Sequence, residues 1–281
     1  MSLPHHASAE DRFWYILSRG VCFVVLGFLV LPIFVIIPMS FTAGNLLVFP
    51  FPGLSLRWYQ NILRGDAWID AAKNSLFIGL SSTALAMALG TLAATGLSRM
   101  NFALKPAIIG VILSPLLIPI VITAVGMYFH FAGIGLSGTY LGLILAHTVL
   151  AVPFVVITVL ASLEGFDNNL LRAAATLGAP PVKTFRRVTL PIIFPGIASG
   201  GLFAFVTSFD EIVVTLFLAA PTQRTLPRQI FSGVREYVSP GIAAVATLLI
   251  VLSALLLLAV QLLERRGRRL AGKSETPKQH N

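Results

Sequence analysis

Residues 106–163 read PAIIGVILSPLLIPIVITAVGMYFHFAGIGLSGTYLGLILAHTVLAVPFVVITVLASL, bounded by Lys105 and Glu164 and holding no Asp, Glu, Lys or Arg. A helix in water must solvate one face with polar and charged side chains. About 20 apolar residues suffice to cross the hydrocarbon of a bilayer. The run is therefore too long for one span and long enough for two. Gly133, Gly135, Ser137 and Gly138 supply the turn that divides it, giving expected spans at 107–131 and 139–162.

The same pattern extends in both directions. No charged residue lies between Arg19 and Arg57, Lys73 and Arg99, Arg187 and Asp210, or Glu236 and Glu264. The chain of 281 residues is 56% hydrophobic and 11% charged, with mean hydropathy +0.87. An ordinary soluble domain carries about 25% charged residues. Further spans are expected at 21–40, 74–98, 192–219 and 241–263, which makes an all-α, polytopic membrane protein with about six transmembrane helices. The first apolar run exceeds the h-region of a signal peptide and reads as an uncleaved anchor. Residues 1–20 form an N-terminal segment, 21–263 the membrane domain, and 264–281 a basic tail.

The net charge of +9 does not indicate nucleic acid, because the basic residues sit at the ends of apolar runs. Lys and Arg number 14 on one side of the expected topology and 6 on the other, so the positive-inside rule places both termini in the cytoplasm. The outer loop 41–73 then carries Trp58, Tyr59 and Trp68, suited to the lipid headgroup level. Cys22, the one cysteine, reads as a small buried hydrophobe.

The inner loop 163–191 differs from the short connections elsewhere. Asp167 or Asn168 can cap a helix start, and Leu170, Leu171, Ala173, Ala174 and Leu177 follow with helical character. Gly178 can supply a left-handed stop. Pro180 and Pro181 restart the chain into a second short helix over about 182–188, showing Phe185 beside Lys183, Arg186 and Arg187. A second break is expected at Leu190-Pro191. A rigid hairpin of small residues in a loop suits docking to a cytosolic partner.

The spacing Ala173-Ala174, Gly178, Val188, Leu190-Pro191 resembles the "EAA" cytoplasmic loop of binding-protein-dependent ABC importer permeases. Arg172 stands where that pattern carries Glu. Arg57-Trp58-Tyr59, Asn74-Ser75-Leu76, Leu145-Ala146-His147, Pro153-Phe154-Val155, Ser208-Phe209-Asp210-Glu211 and Thr225-Leu226-Pro227 resemble the spermidine/putrescine branch. The resemblance implies a type I ABC importer permease fold in a bacterial inner membrane. Arg172, Ala173, Ala174, Gly178, Ala179, Phe185, Leu190 and Pro191 would then contact an ATP-binding subunit dimer. The remaining implied partners are a second homologous permease, membrane lipid and a periplasmic solute-binding protein. ATP and Mg would be bound by the partner ATPase and no cofactor by this chain, which has no phosphate-binding Gly-x-x-x-x-Gly-Lys loop. The cargo would be a small solute, with polyamine first and opine, phosphonate or amino-acid-like solutes as alternatives.

Asp210 and Glu211 are the acidic residues inside an expected span, where a carboxylate costs about 2.5–3.5 kcal/mol. They either meet a cationic solute in transit, cap a broken half-helix, or pair with an Arg of a partner. His130 and His147 read as satisfied interior histidines without metal-ligand neighbours. Gly79, Gly90 and Gly96 are spaced for close helix packing, and Pro115 and Pro119 mark candidate gating kinks. A stand-alone secondary transporter would account for the spans and intramembrane acids but not for the hairpin. A membrane enzyme would need clustered His, Asp or Glu, which the sequence does not show.

Overall fold

The computed structural model describes residues 9–271 except 49, 51, 100, 101, 168, 237 and 238. In chain order the helices are α1 (Ala9–Ser40), α2 (Arg57–Arg64), α3 (Asp66–Arg99), α4 (Lys105–Leu117), α5 (Ile120–Gly133) and α6 (Tyr140–Glu164). They continue with α7 (Asn169–Thr176), α8 (Pro181–Thr184), α9 (Leu190–Phe209), α10 (Val213–Leu218), α11 (Leu226–Glu236) and α12 (Pro240–Ala271). Among the described residues there is no strand, only one isolated bridge between Thr42 and Leu54.

Four helical stretches are long and apolar enough to cross a bilayer: Arg12–Ser40, Asp66–Arg99, Tyr140–Glu164 and Pro181–Phe209. The pair α4–α5 makes a fifth if taken as one bent span, and Pro240–Leu255 is a shorter apolar helix. Each of the six expected spans is thus largely helix. Helix also continues past both ends of the 21–263 segment, while residues 272–281 of the expected tail lie outside the described residues.

Expected span 107–131 is not one straight helix. α4 and α5 meet at 106°. Ile118 is extended (φ −81°, ψ 134°) and Pro119 follows with φ −52°, ψ 128°. The proline ring pushes the preceding residue out of the α region, so the helix stops before it. Pro115 stays inside α4, with Ser114 before it still helical.

The chain divides into two units. In the first, residues 9–64 with 233–271, α1 and α2 both pack against α12. The segment 41–73 is more helical than expected of a loop, since it contains α2 and the first turns of α3. Arg57 lies 4.8 Å over the Trp58 ring and donates to Asn45 Oδ1 at 2.6 Å. Trp58 Nε1 donates to the Gly44 carbonyl at 3.2 Å, and Tyr59 and Ser40 share a hydroxyl contact of 2.6 Å. Cys22 is exposed on α1, correcting the expectation of burial. The large apolar side chains around it, Val21, Phe23, Val24 and Val25, are exposed too, as on a helix that faces lipid.

In the second unit, residues 65–232, helices α3, α6 and α9 form the core. Ala86, Ala94, Ala151, Val155, Val156, Val159, Ile193 and Ala204 are all fully buried there. Small residues set the approach. A Cβ on Gly90 would fall 2.7 Å from Val155, and one on Gly200 would run into Thr158 Oγ1 and fall 2.8 Å from Val155 Cα. Gly79 meets Phe205 in the same way, but Gly96 faces open space and serves no such contact.

Candidate functional site

A polar chain runs through the apolar core of the second unit. Ser82 on α3 donates to Ser208 Oγ on α9 at 2.9 Å, and Ser208 Oγ lies 2.8 Å from His147 Nδ1 on α6. His147 Nε2 lies 3.3 Å from Thr215 Oγ1 on α10. All four residues are buried, His147 completely. A buried polar group is stable only when hydrogen-bonded, and here each ring nitrogen has a hydroxyl partner. The interior-histidine reading holds for His147. His130 is exposed on α5 and is corrected in that respect.

The expected span 192–219 is interrupted just after Ser208. α9 ends at Phe209, and α10 begins at Val213. Asp210 closes α9, donating its N–H to the Val206 carbonyl at 3.0 Å, with its side chain exposed. Glu211 turns the other way: its Oε1 accepts the Val214 N–H at 2.8 Å, capping the start of α10. At the far end Arg228 of α11 donates to the Ala219 carbonyl at 3.1 Å and lies 3.5 Å from the Thr215 and Ala220 carbonyls. An anion at the N-terminus and a cation at the C-terminus oppose the helix dipole at both ends. Of the three roles open to the acidic pair, half-helix capping is thus taken by Glu211, while Asp210 stays free of it.

The segment after α10 is held by residues from distant motifs. Asn74 Nδ2 donates to the Thr222 and Arg224 carbonyls at 3.1 and 3.0 Å, and Tyr140 donates to Asn74 Oδ1 at 2.8 Å. Ser75 Oγ accepts the Leu226 N–H at 2.8 Å, and Gln223 bridges Gly138 and Ala220. The short motifs at 74–76, 145–147, 208–211 and 225–227 therefore meet in space, two by two.

At the other end of α9 lies the loop 163–191. Asp167 Oδ1 accepts the Asn169 N–H at 2.9 Å at the start of α7; Asn168 lies outside the described residues. α7 ends in a Schellman motif, with Ala179 N–H bonded to the Ala174 carbonyl at 3.0 Å and Gly178 N–H to Ala175 at 2.9 Å. Gly178 has φ +73°, as its expected left-handed role requires. Beyond Pro180 the chain enters α8 and then a π-helical turn, Phe185–Thr189, that leads directly into α9. The break expected at Leu190-Pro191 is absent. Leu190 N–H reaches back five residues to the Phe185 carbonyl, and this wider turn accommodates Pro191, which has no N–H to contribute and would crowd the carbonyl four residues earlier in an α-helix.

Arg172, Ala173, Ala174, Gly178, Ala179, Phe185, Leu190 and Pro191 thus occupy one continuous hairpin. Asp210 and Glu211 sit at the opposite end of the 20-residue α9, about 30 Å away at 1.5 Å per residue. The structure therefore keeps the two groups of residues apart. Leu177 and Val182 flank the Gly178 turn and are 87% and 70% exposed, so they belong to the hairpin's outward surface. Their signal in the sequence was an apolar residue on each side of a Gly-Ala-Pro-Pro turn.

The sequence model of the family described as "binding-protein-dependent transport system inner membrane component" matches residues 86–269. The spermidine/putrescine transport system permease protein PotC of Haemophilus influenzae is 34% identical over 253 residues, covering 90% of this chain and 98% of that protein. The putrescine transport system permease protein PotI of Escherichia coli K12 is 36% identical over 239 residues, covering 82% and 85%. Among solved structures, a chain of a bacterial ABC transporter involved in alginate import superimposes with TM-score 0.73 at 15% identity, covering 92% of this chain and 99% of that one. That likeness concerns the fold.

Proposed function

Because this chain belongs to the binding-protein-dependent transport system inner membrane component family, we propose that its cargo is a polyamine such as spermidine or putrescine. Similarity to a spermidine/putrescine permease, 34% identical over 90% of this chain, carries this reading. The chain forms half of the translocation path and a second, homologous permease the other half. A periplasmic solute-binding protein delivers cargo, and ATP and Mg are bound and ATP hydrolysed on a separate dimer of ATP-binding subunits. Residues 21–263 lie in the inner membrane with both termini in the cytoplasm, as the basic-residue asymmetry supports, and 264–281 form a cytoplasmic tail.

The hairpin 163–191 is the contact with the ATP-binding subunit, through Arg172, Ala173, Ala174, Gly178, Ala179, Phe185, Leu190 and Pro191. Exposed Leu177 and Val182 add the apolar part of that contact. Because α8, the π turn and α9 are one helical stretch, Pro181–Phe209, displacement of the hairpin reaches Ser208 and the break after it. Exposed Asp210 faces the path and meets the cation. Each ligand must favour one conformation over the other, since equal affinity shifts nothing.

Affinity purification of the tagged chain in mild detergent, followed by reconstitution and uptake of labelled spermidine, putrescine and a phosphonate, tests the proposal. Copurification of an ATPase and a second permease, with ATP-dependent polyamine uptake, is expected. Ion-driven uptake by this chain alone would overturn it; uptake of the phosphonate in place of polyamine would overturn the cargo assignment.

A further inference from the structure

A cavity of about 250 Å³ opens where α3 ends against the hairpin, lined by Ser98, Arg99, Leu163, Phe166, Leu171 and Thr189. Its polar groups are those of an anion site. Arg99 has no hydrogen-bond or ion-pair partner among the described residues. Thr189 is 1% exposed, and its Oγ1 is buried without a hydrogen-bond partner. Such an orphaned hydroxyl carries a desolvation penalty that a ligand oxygen would remove. Ser98 Oγ donates to the Thr95 carbonyl at 3.0 Å, so its own donor is committed. No carboxylate lines the cavity: exposed Glu164 and Asp167 flank Leu163 and Phe166 without entering it. A cation therefore finds no counter-charge here, whereas an anion meets a guanidinium and a free hydroxyl.

Leu163, Phe166 and Leu171 form the apolar part of the same lining. On the orientation proposed above, the ends of α3 and α6 lie at the cytoplasmic leaflet. A ligand combining a phosphate with an apolar body matches both halves of the cavity, and arginine is well suited to phosphate geometry. We infer that this cavity binds a phosphate-bearing anion, with Arg99 and Thr189 as its ligands, at the joint between α3 and the hairpin. Since Leu171 belongs to α7 and Thr189 to the π turn, an occupant touches the moving loop on two sides and biases its position. The inference rests on the proposed orientation and names lipid headgroup and soluble phosphate ester as the two sources.

The test is native mass spectrometry of the chain, with the subunits that copurify, from nanodiscs of phosphatidylglycerol or of phosphatidylcholine with the same acyl chains. Retention of phosphatidylglycerol over phosphatidylcholine is expected, falling about tenfold in Arg99→Gln, the loss of one charge-assisted bond, and recovering in Arg99→Lys. Thr189→Val should weaken retention without changing assembly. Displacement of the retained lipid by millimolar glycerol 3-phosphate, or binding of that ester alone, assigns the site to the soluble anion. Equal lipid retention in wild type and Arg99→Gln, with no binding of glycerol 3-phosphate, overturns the inference. Failure of an ATPase to copurify would count against the importer reading instead, and leaves retention on this chain measurable.

Discussion

Glu211 and Arg228 hold opposite ends of the same six-residue helix, the carboxylate accepting from Val214 N–H at 2.8 Å and the guanidinium donating to the Ala219 carbonyl at 3.1 Å. An isolated helix of this length does not form in water, so α10 depends on its ends and on its packing against α5 and α6. The acidic pair 210–211 therefore divides its labour. One residue is structural and the other is free.

Substitutions that remove charge but keep shape should separate the two. Asp210→Asn is expected to lower polyamine uptake about tenfold, the effect of losing roughly 1.4 kcal/mol of attraction, with assembly intact. Glu211→Gln keeps an oxygen that can accept from Val214 and should leave uptake within about twofold, whereas Glu211→Ala removes the cap and should lower stability by about 1 kcal/mol. Initial-rate uptake in vesicles beside thermal shift of the purified complex reads both effects. The reverse pattern would place Glu211, not Asp210, in the path.

Arg228 reaches from α11 onto the end of α10. Arg228→Met should lower thermal stability by about 1–2 kcal/mol, since the last carbonyls of the helix lose their cation. The Arg224 guanidinium, on the surface, reaches Gln229 at 3.4 Å, and Arg224→Met should change the melting temperature little. Equal effects would contradict the capping role.

Gly178 sits at φ +73° at the tip of the hairpin, where an added Cβ would meet nothing within 4 Å. The restriction is therefore in the backbone, at about 1–2 kcal/mol for a residue with a side chain. Gly178→Val should weaken copurification of the ATP-binding subunit and reduce ATP-dependent uptake, while Gly178→Asn, which tolerates the left-handed region, should keep most of both. If Val were neutral in both measurements, the turn would not shape the contact.

Gly200 presents the opposite case, an ordinary helical backbone with no room beside it. Gly200→Val would drive a side chain into Thr158 and Val155, and overpacking of this kind costs about 1–3 kcal/mol. Lower yield and a lower melting temperature are expected, while Gly96→Val, which faces open space, should be tolerated. Thermal shift on the two variants side by side checks this.

The sequence made the helices legible because charge avoidance over 20 residues has few explanations, and Gly178 legible because few other residues accept a left-handed stop. His147 could be read as interior and satisfied, though its partners could not be named: Ser208 and Thr215 lie 61 and 68 positions away. The interruptions were harder. Pro119 bends its span by 106° with apolar residues on both sides, so hydropathy runs through the bend, and only the extended preference of Ile118 before a proline marks it. At Leu190-Pro191 the same residue type misled in the other direction, because a five-residue backward hydrogen bond absorbs the proline without ending the helix.

That absorbed proline gives the second unit an unbroken lever. Pro181–Phe209 is 29 residues long, about 43 Å at 1.5 Å per residue, so a tilt of about 10° at one end sweeps the other by about 7 Å. Ser208 sits at the far end of that stretch, clasped by Ser82 and His147. A tilt of α9 alone by that much would open both clasps, whereas a tilt shared with α3 and α6, which pack against it, keeps them closed, so the clasps favour the three helices turning as one piece.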